Sequence, residues 1–437
     1  MSLLFDLIYL CVLAILSPWL LWRAWTTGRY RHDLRAKLFG CDAVPNPDGK
    51  PVVWFHGVSV GEIHLLGVIV AAFRKQHPDW LVVISSTTDT GVSEARKRFA
   101  DLPVIAFPFD FSWAVKRTIT SVQPALIVLA ESELWPNLLA VAETRRVPVV
   151  VANMRMSPRS FARLQRIRSV ANRFLLGKVS AFGVQAREYA ERLRQLGVTE
   201  HQLEVTGSVK YDGATGDRTN PKIAELRRLI GLTNQPVWVV GSTHAPEETI
   251  AIEVFTRLRA RFQQLRLLIV PRHPDRFAEV AQLIEQSQLP FAKRSTIHAP
   301  LAEMPEVVLL DTLGELGAAW GLADVAFTGG SLDGKRGGQS MIEPAGYGVP
   351  LVYGPHIWNF RDTGSQLVDA GAAVIVRDAD DLEREVARLL DDPQLRITRG
   401  TAARELVRQQ QGATLRTVEL LDRVLAESAR RTQVVRQ

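Results

Sequence analysis

The chain has 437 residues, 46% of them hydrophobic and 23% charged, with 30 Gly and 23 Pro dispersed along it. That length exceeds what one hydrophobic core organises, and the composition excludes a disordered, collagen-like or low-complexity protein. Two cysteines, Cys11 and Cys41, exclude a disulfide framework and a cysteine-rich zinc site, while 53 basic against 46 acidic residues leave +7, which suits an anionic surface or substrate without demanding nucleic acid.

Leu7 to Trp22 carries no charge, and Leu3 to Trp22 is interrupted only by Asp6 and the Ser17-Pro18 pair. Twenty helical residues rise roughly 30 Å, the depth of a hydrocarbon core. A cleaved signal peptide needs basic residues before the apolar run. Here Arg23, Arg29, Arg31, Arg35 and Lys37 follow it, which by the positive-inside rule puts the remainder in the cytoplasm. Residues 1–22 are therefore expected to be an uncleaved membrane anchor, with a shallow membrane-embedded helix as the alternative. Residues 23–50 form a basic interfacial segment that closes in the turn-rich Pro45 to Lys50.

From Pro51 onward, short β-rich runs alternate with amphipathic helical stretches, the pattern of parallel α/β domains. Strands are predicted over 51–56, 81–85, 104–107, 125–129, 148–152 and 181–184. Residues 211–221, YDGATGDRTNP, gather turn formers and mark a domain boundary. The pattern restarts with strands predicted over 237–241, 267–270, 307–310, 325–328, 350–353 and 373–376, and residues 382–425 are expected to close the second domain. Each half opens alike, with a strand, a small-residue loop holding a histidine, and an acidic helix start: VVWFHGVSVGE, then VWVVGSTHAPEE. The expected fold class is α/β: two doubly wound Rossmann-like domains, 51–211 and 222–425, facing a cleft, with ligands outside the carboxyl ends of the strands.

The chemistry-bearing residues gather at those ends. Gly57 to Glu62 joins a strand to a helix, where free amides and the positive dipole end suit an anion. Glu62 is either a general base there or the partner of Ser59 in a capping box. Glu131 and Glu133 follow the next apolar strand; one can orient a hydroxyl or share a proton while the other caps the helix near Pro136. Seven basic residues between Arg155 and Lys178 occur with no acid among them, and Arg159, Arg163 and Arg166 share one helical face, either a solvated surface or a contact for anionic lipid. In the second half Arg272 is a candidate phosphate ligand. The glycine-rich turns around Gly329-Gly330-Ser331 and Gly337-Gly338 let amides approach phosphate, and Glu343 can accept from ribose hydroxyls. No Walker loop, GxGxxG or HExxH occurs, and no metal is expected. His56, His244, His273 and His356 lie near strand ends and read as structural or functional alike.

The motifs HGVSVGE, ESELWPNL, NMRMS, GSVKYD, GSTHAPEE, PRHPDRF, DTLGEL, FTGGSL and GGQSMIEPAGYGVPLVYGPH resemble, in this order, those of bacterial 3-deoxy-D-manno-octulosonic acid (Kdo) transferases over nearly the whole chain. The resemblance implies a GT-B fold and metal-free transfer of Kdo from CMP-Kdo to the phosphorylated lipid A precursor (lipid IVA) at the cytoplasmic face of the inner membrane. It implies no cofactor, and as partners the donor, the lipid acceptor and an anionic membrane surface. Matched by motif, Glu62 is similar to the family's catalytic base, and Glu131 and Lys210 to its transition-state stabilisers. Pro271 and Arg272, then Leu313, Gly314 and Glu315, then Ser340, Met341, Ile342 and Glu343 match its CMP-binding loops. The chain departs from the pattern at Gln339-Ser340, where His-Asn is more usual, and in an extra residue around Asp333 to Arg336. A GT-B transferase using another CMP- or UDP-sugar, or a binding protein without catalysis, is the alternative.

Overall fold

The computed structural model describes residues 2–27, 33–214 and 216–436. The chain divides into two compact units, Met1–Asp212 with Gln411–Gln437, and Gly213–Gln410.

The first unit holds seven parallel strands: β1 (Val52–His56), β2 (Leu81–Ser86), β3 (Val104–Ala106), β4 (Pro124–Ala130), β5 (Val149–Met154), β6 (Ala181–Val184) and β7 (Leu203–Val205). Their order is β3-β2-β1-β4-β5-β6-β7. The central runs are apolar throughout because helices cover both faces, and alternate residues feed opposite layers. Trp54, Ile127, Leu129 and Phe182 enter one core, and Val53, Phe55, Ile84 and Val128 the other. The chain reverses its winding between β1 and β4, which opens a crevice at their carboxyl ends.

The second unit repeats the plan with β8 (Val237–Thr243), β9 (Arg266–Pro271), β10 (Phe291–Lys293), β11 (Val307–Leu309), β12 (Val325–Thr328), β13 (Leu351–Tyr353) and β14 (Ala373–Ile375). All pairs are parallel, in the order β10-β11-β9-β8-β12-β13-β14. The reversal falls between β8 and β12. All twelve strands expected from sequence are present. The two additional ones, β7 and β10, are three-residue edge strands (LEV and FAK) too short to carry a pattern.

Residues 411–425 were expected to belong to the second domain but complete the first. Helix Ala413–Arg436 packs on helix Val60–Gln76, placing Val418, Leu420, Leu421 and Val424 in the core with Ile63, Leu66 and Val70. Asp212 fixes its start by accepting from Gly412 N at 2.7 Å and Thr414 N at 2.5 Å.

The expected anchor is a helix, Ser2–Thr27, but its beginning is fastened to the first unit. Asp6, 4% exposed, accepts from Ser112 N (2.8 Å), Ser112 Oγ (2.5 Å) and Asn137 Nδ2 (3.0 Å). Tyr9 donates to Asp110 at 3.1 Å, and the Phe5 ring meets Phe174 edge-on. Among the described residues no helix is long and apolar enough to cross a membrane. Leu7, Ile8, Leu10, Val12, Ile15 and Trp22 remain exposed on this helix.

Candidate active site

In the first unit, β1 ends at His56 and the chain turns through Gly57-Val58-Ser59 into helix Val60–Gln76. The capping interaction anticipated for Ser59 is present: its Oγ accepts from Glu62 N at 3.4 Å. The return bond goes elsewhere. Glu62 Oε2 accepts from Val58 N at 2.6 Å and Oε1 from the Ser59 hydroxyl at 3.0 Å. Each carboxylate oxygen has further acceptor capacity, so the fixed Glu62 can still take a proton. Burial raises its pKa, with the Glu131 charge adding to it against the bonds from Val58 and Ser59. A carboxylate moved upward in this way is a better base near neutral pH.

Glu131 leaves β4 in the left-handed region at φ 57°, its N–H bonded to Ala152 O at 2.9 Å. Its Oε1 lies 3.2 Å from Lys210 Nζ. Lys210 reaches that place because Asn153, itself at φ 58° at the end of β5, accepts from Val209 N at 3.1 Å. Two non-glycine residues in this sparsely populated conformation at adjacent strand ends are the kind of local strain that functional sites retain. Glu133 joins the group. It is half-buried, and burial followed by the charges of Glu62 and Glu131 raises its pKa. The expectation that an acid of the Glu131–Glu133 pair caps the helix near Pro136 is corrected: Asp110 caps it, accepting from Asn137 N at 2.9 Å and Leu138 N at 2.8 Å.

His56 is structural. It is fully buried, stacks on Phe107 at 3.7 Å and lies 2.9 Å from Ser85 Oγ, and burial pushes it down to about 3. Arg159, Arg163 and Arg166 are exposed near Ile167 and Val170, which are exposed as well. A cavity of about 830 Å³ lies in this unit by the amino ends of β5 and β6, lined by Arg146, Lys178 and Arg430 among others; it contains none of the anticipated site residues.

In the second unit the GGS turn behaves differently from expectation. The buried Glu247 carboxylate accepts from Gly330 N (2.7 Å), Ser331 N (2.8 Å), Leu332 N (3.2 Å) and His244 N (3.0 Å). Those amides are committed to Glu247 and hold the loop in shape. Gly329 is required there, since a Cβ would come within 2.6 Å of Ser242 O and 2.7 Å of Glu247 Oε2.

Arg272 leaves β9 with its N–H on Thr243 O at 3.1 Å and its side chain exposed, without a partner among the described residues. Pro271 before it is buried. Leu313 is 77% exposed and Gly314 adopts φ 84° with open space around it. Glu315 is tied down by Arg294 (3.1 Å to Nε, 3.0 Å to Nη2) and by Thr312, so it shapes its loop. Met341 and Ile342 bury their side chains, leaving only backbone to offer a ligand. Ser340 Oγ accepts from Ile342 N at 3.4 Å, and Glu343 stands exposed on the first turn of helix Ile342–Gly346. Among the described residues no cluster of His, Cys, Asp and Glu could hold a metal ion.

His244, at the end of β8, had no assigned role in the sequence. It is buried, meets His273 edge-on at 5.3 Å, and has Gln339 Nε2 at 3.5 Å from its Nε2. Burial first, then Arg336 and His273, push it down to about 4. Asn153 was likewise missed as a positioner of Lys210. A buried polar residue at a strand end was the available signal for each.

Two doubly wound parallel sheets, with charged side chains gathered where each winding reverses, define an α/β protein of two Rossmann-like units with ligand crevices at the carboxyl ends of their strands. The family model "3-Deoxy-D-manno-octulosonic-acid transferase (kdotransferase)" matches residues 32–213. The 3-deoxy-D-manno-octulosonic acid transferase of Haemophilus influenzae is 34% identical over 94% of each chain. The C-terminal CMP-Kdo binding domain of WaaA from Acinetobacter baumannii is 32% identical, covering 43% of this chain and 96% of that one, with a TM-score of 0.40. UDP-GlcNAc 2-epimerase from Neisseria meningitidis, at 11% identity and a TM-score of 0.57 over 86% of this chain and all of that one, shares the fold alone. The chain belongs to the Kdo transferase family, and is a glycosyltransferase.

Proposed function

We propose that this protein transfers Kdo from CMP-Kdo to a phosphorylated lipid A precursor, lipid IVA, at the inner membrane surface. The observation that carries the reading is the group at the β1/β4 reversal: Glu62, fixed with acceptor capacity to spare, beside the Glu131–Lys210 pair. Glu62 takes the proton of the acceptor hydroxyl as its oxygen bonds to the anomeric carbon. The bond from that carbon to the phosphate oxygen breaks, and CMP leaves with the electron pair. Positive charge on the sugar ring is stabilised by Glu131, which Lys210 holds in place as its ion-pair partner. Arg272 takes the growing charge on the departing phosphate, while backbone groups of the 313–315 and 340–342 turns and Glu343 hold the nucleotide.

The acceptor is a lipid, and the exposed apolar side chains of helix Ser2–Thr27 are suited to lie in the membrane interface while Asp6 stays with the protein. Arg159, Arg163 and Arg166 supply attraction to anionic head groups. This favours the shallow arrangement over a full span. The test is CMP release and product mass from purified protein with CMP-Kdo and lipid IVA. Release of CMP with a product heavier by one or more Kdo units is expected; no release removes the assignment.

A further inference from the structure

Three neighbouring strand ends of the second sheet, those of β9, β8 and β12, carry Arg272, His244 and the loop that contains Arg336. The two arginines therefore arise on opposite sides of the central histidine. Around Gly330, at φ 68°, the second of these cations is brought close to His244: a Cβ built there would lie 3.3 Å from His244 Cδ2, 3.4 Å from Arg336 Cβ and 3.4 Å from Gln339 Nε2.

Arg336 is loosely held. Its Nε is 3.9 Å from Asp333 Oδ2, its side chain is half-exposed, and its terminal nitrogens have no partner among the described residues. Asn359 Nδ2 donates to Arg336 O at 2.9 Å and Gly338 N to Gly330 O at 2.7 Å, so the backbone beneath the side chain is fixed. A guanidinium on a fixed backbone, with its fork unoccupied, is the group best matched to a carboxylate.

The proposed donor carries two anions, the phosphodiester and the carboxylate of the acidic sugar. Only one is accounted for by Arg272. We propose that Arg336, backed by His244 and Gln339, is the subsite for the donor sugar's carboxylate, separate from the phosphate at Arg272, and selects for an acidic sugar. The assignment rests on the reading of the chain as a transferase using CMP-Kdo. Gln339 orients the cluster through its contact with His244, and the neutral imidazole adds a hydrogen-bonding group without a competing charge.

The experiment compares Arg336→Ala with wild-type protein, measuring the KM for CMP-Kdo and the inhibition constant for CMP, which lacks the carboxylate. Loss of a charge-assisted bidentate contact should raise the KM at least about tenfold. Inhibition by CMP should be unchanged. Equal weakening of both ligands would place Arg336 on the phosphate or nucleotide, and an unchanged KM would remove it from the site; either overturns the proposal. Failure of the transferase reading is distinguishable, because wild-type protein would then release no CMP before any variant is compared.

Discussion

Lys210 Nζ stands 3.2 Å from Glu131 Oε1, and it is brought there by Asn153, whose side chain holds the neighbouring Val209 amide. Both partners are partly open to solvent, so the pair contributes at most about 1 kcal/mol to stability. In the proposed reaction its effect belongs to the transition state, where fixed charges act on charge that develops during reaction. Lys210→Ala should lower kcat by about 10²-fold or more, in the range of lost electrostatic stabilisers, with little change in melting temperature. Steady-state kinetics beside thermal unfolding check this, and a normal kcat would exclude the pair from catalysis.

Asp110 connects pH to the docking of the amino-terminal helix. Burial raises it from an ordinary 3.8 to about 7, against the bonds it accepts from Asn137, Leu138 and Tyr9 and with the Asp6 charge adding to the rise. The folded state thus holds this proton more tightly than the unfolded chain. The stability it lends is present below the unfolded pKa and is lost as pH rises through the folded one, at most about 4 kcal/mol between pH 4 and 7. Asp110→Asn resembles the protonated form. Its stability relative to wild type should therefore improve from pH 5 to pH 8, as read by denaturant unfolding. A difference that does not vary with pH would mean that Asp110 titrates normally.

Membrane contact should be electrostatic as well as apolar. Replacing Arg159, Arg163 and Arg166 together by Gln removes about 1 kcal/mol per residue near an anionic surface, or roughly 100-fold in vesicle affinity at low salt. Wild-type binding should weaken with added salt, and that of the variant much less. Sedimentation with phosphatidylglycerol-containing vesicles measures both. Equal binding by the two proteins would make this arginine face a solvated surface.

The fold was legible where burial imposes a pattern. Val52–His56 and Val237–Thr243 are buried along their whole length, so their apolar runs announce central strands. Leu203–Val205 and Phe291–Lys293 are half-covered edges and carry no such signal. The destination of helix Ala413–Arg436 was hidden because its apolar stripe fits the face of any α/β sheet; the Asp212 cap and contacts such as His77–Asp422 and Arg423–Glu204 fix which. At the site, Glu62 and Glu131 were visible as acids at strand ends. Their surroundings were not, since Asn153, Asp110 and Glu247 act on residues distant in sequence. Glycines in FTGGS read as a phosphate cradle, yet a buried carboxylate takes those amides, an occupant that spacing cannot reveal.

Glu62 separates structural from chemical roles by a single atom. Its Oε2 accepts from Val58 N and its Oε1 from the Ser59 hydroxyl. Glutamine can keep both contacts, because its Oε1 accepts from Val58 and its amide donates to Ser59 Oγ once the hydroxyl rotates away. The lost charge near a helix start costs about 0.3–1 kcal/mol, too little to unfold the protein. A base cannot be replaced in this way, since an amide takes no proton, and loss of general-base catalysis costs about 10²–10⁴-fold. Glu62→Gln should therefore unfold near the wild-type temperature, bind CMP normally and transfer Kdo at least about 100-fold more slowly. Because burial and Glu131 raise the pKa of this carboxyl, the wild-type rate should fall on acidification at a pH above the ordinary 4.5 for Glu. The residual activity of the glutamine variant should lack that limb. Near-normal turnover, or an unchanged acid limb in the variant, would reduce Glu62 to a loop-fixing residue and pass the role of base to Glu131 or Glu133.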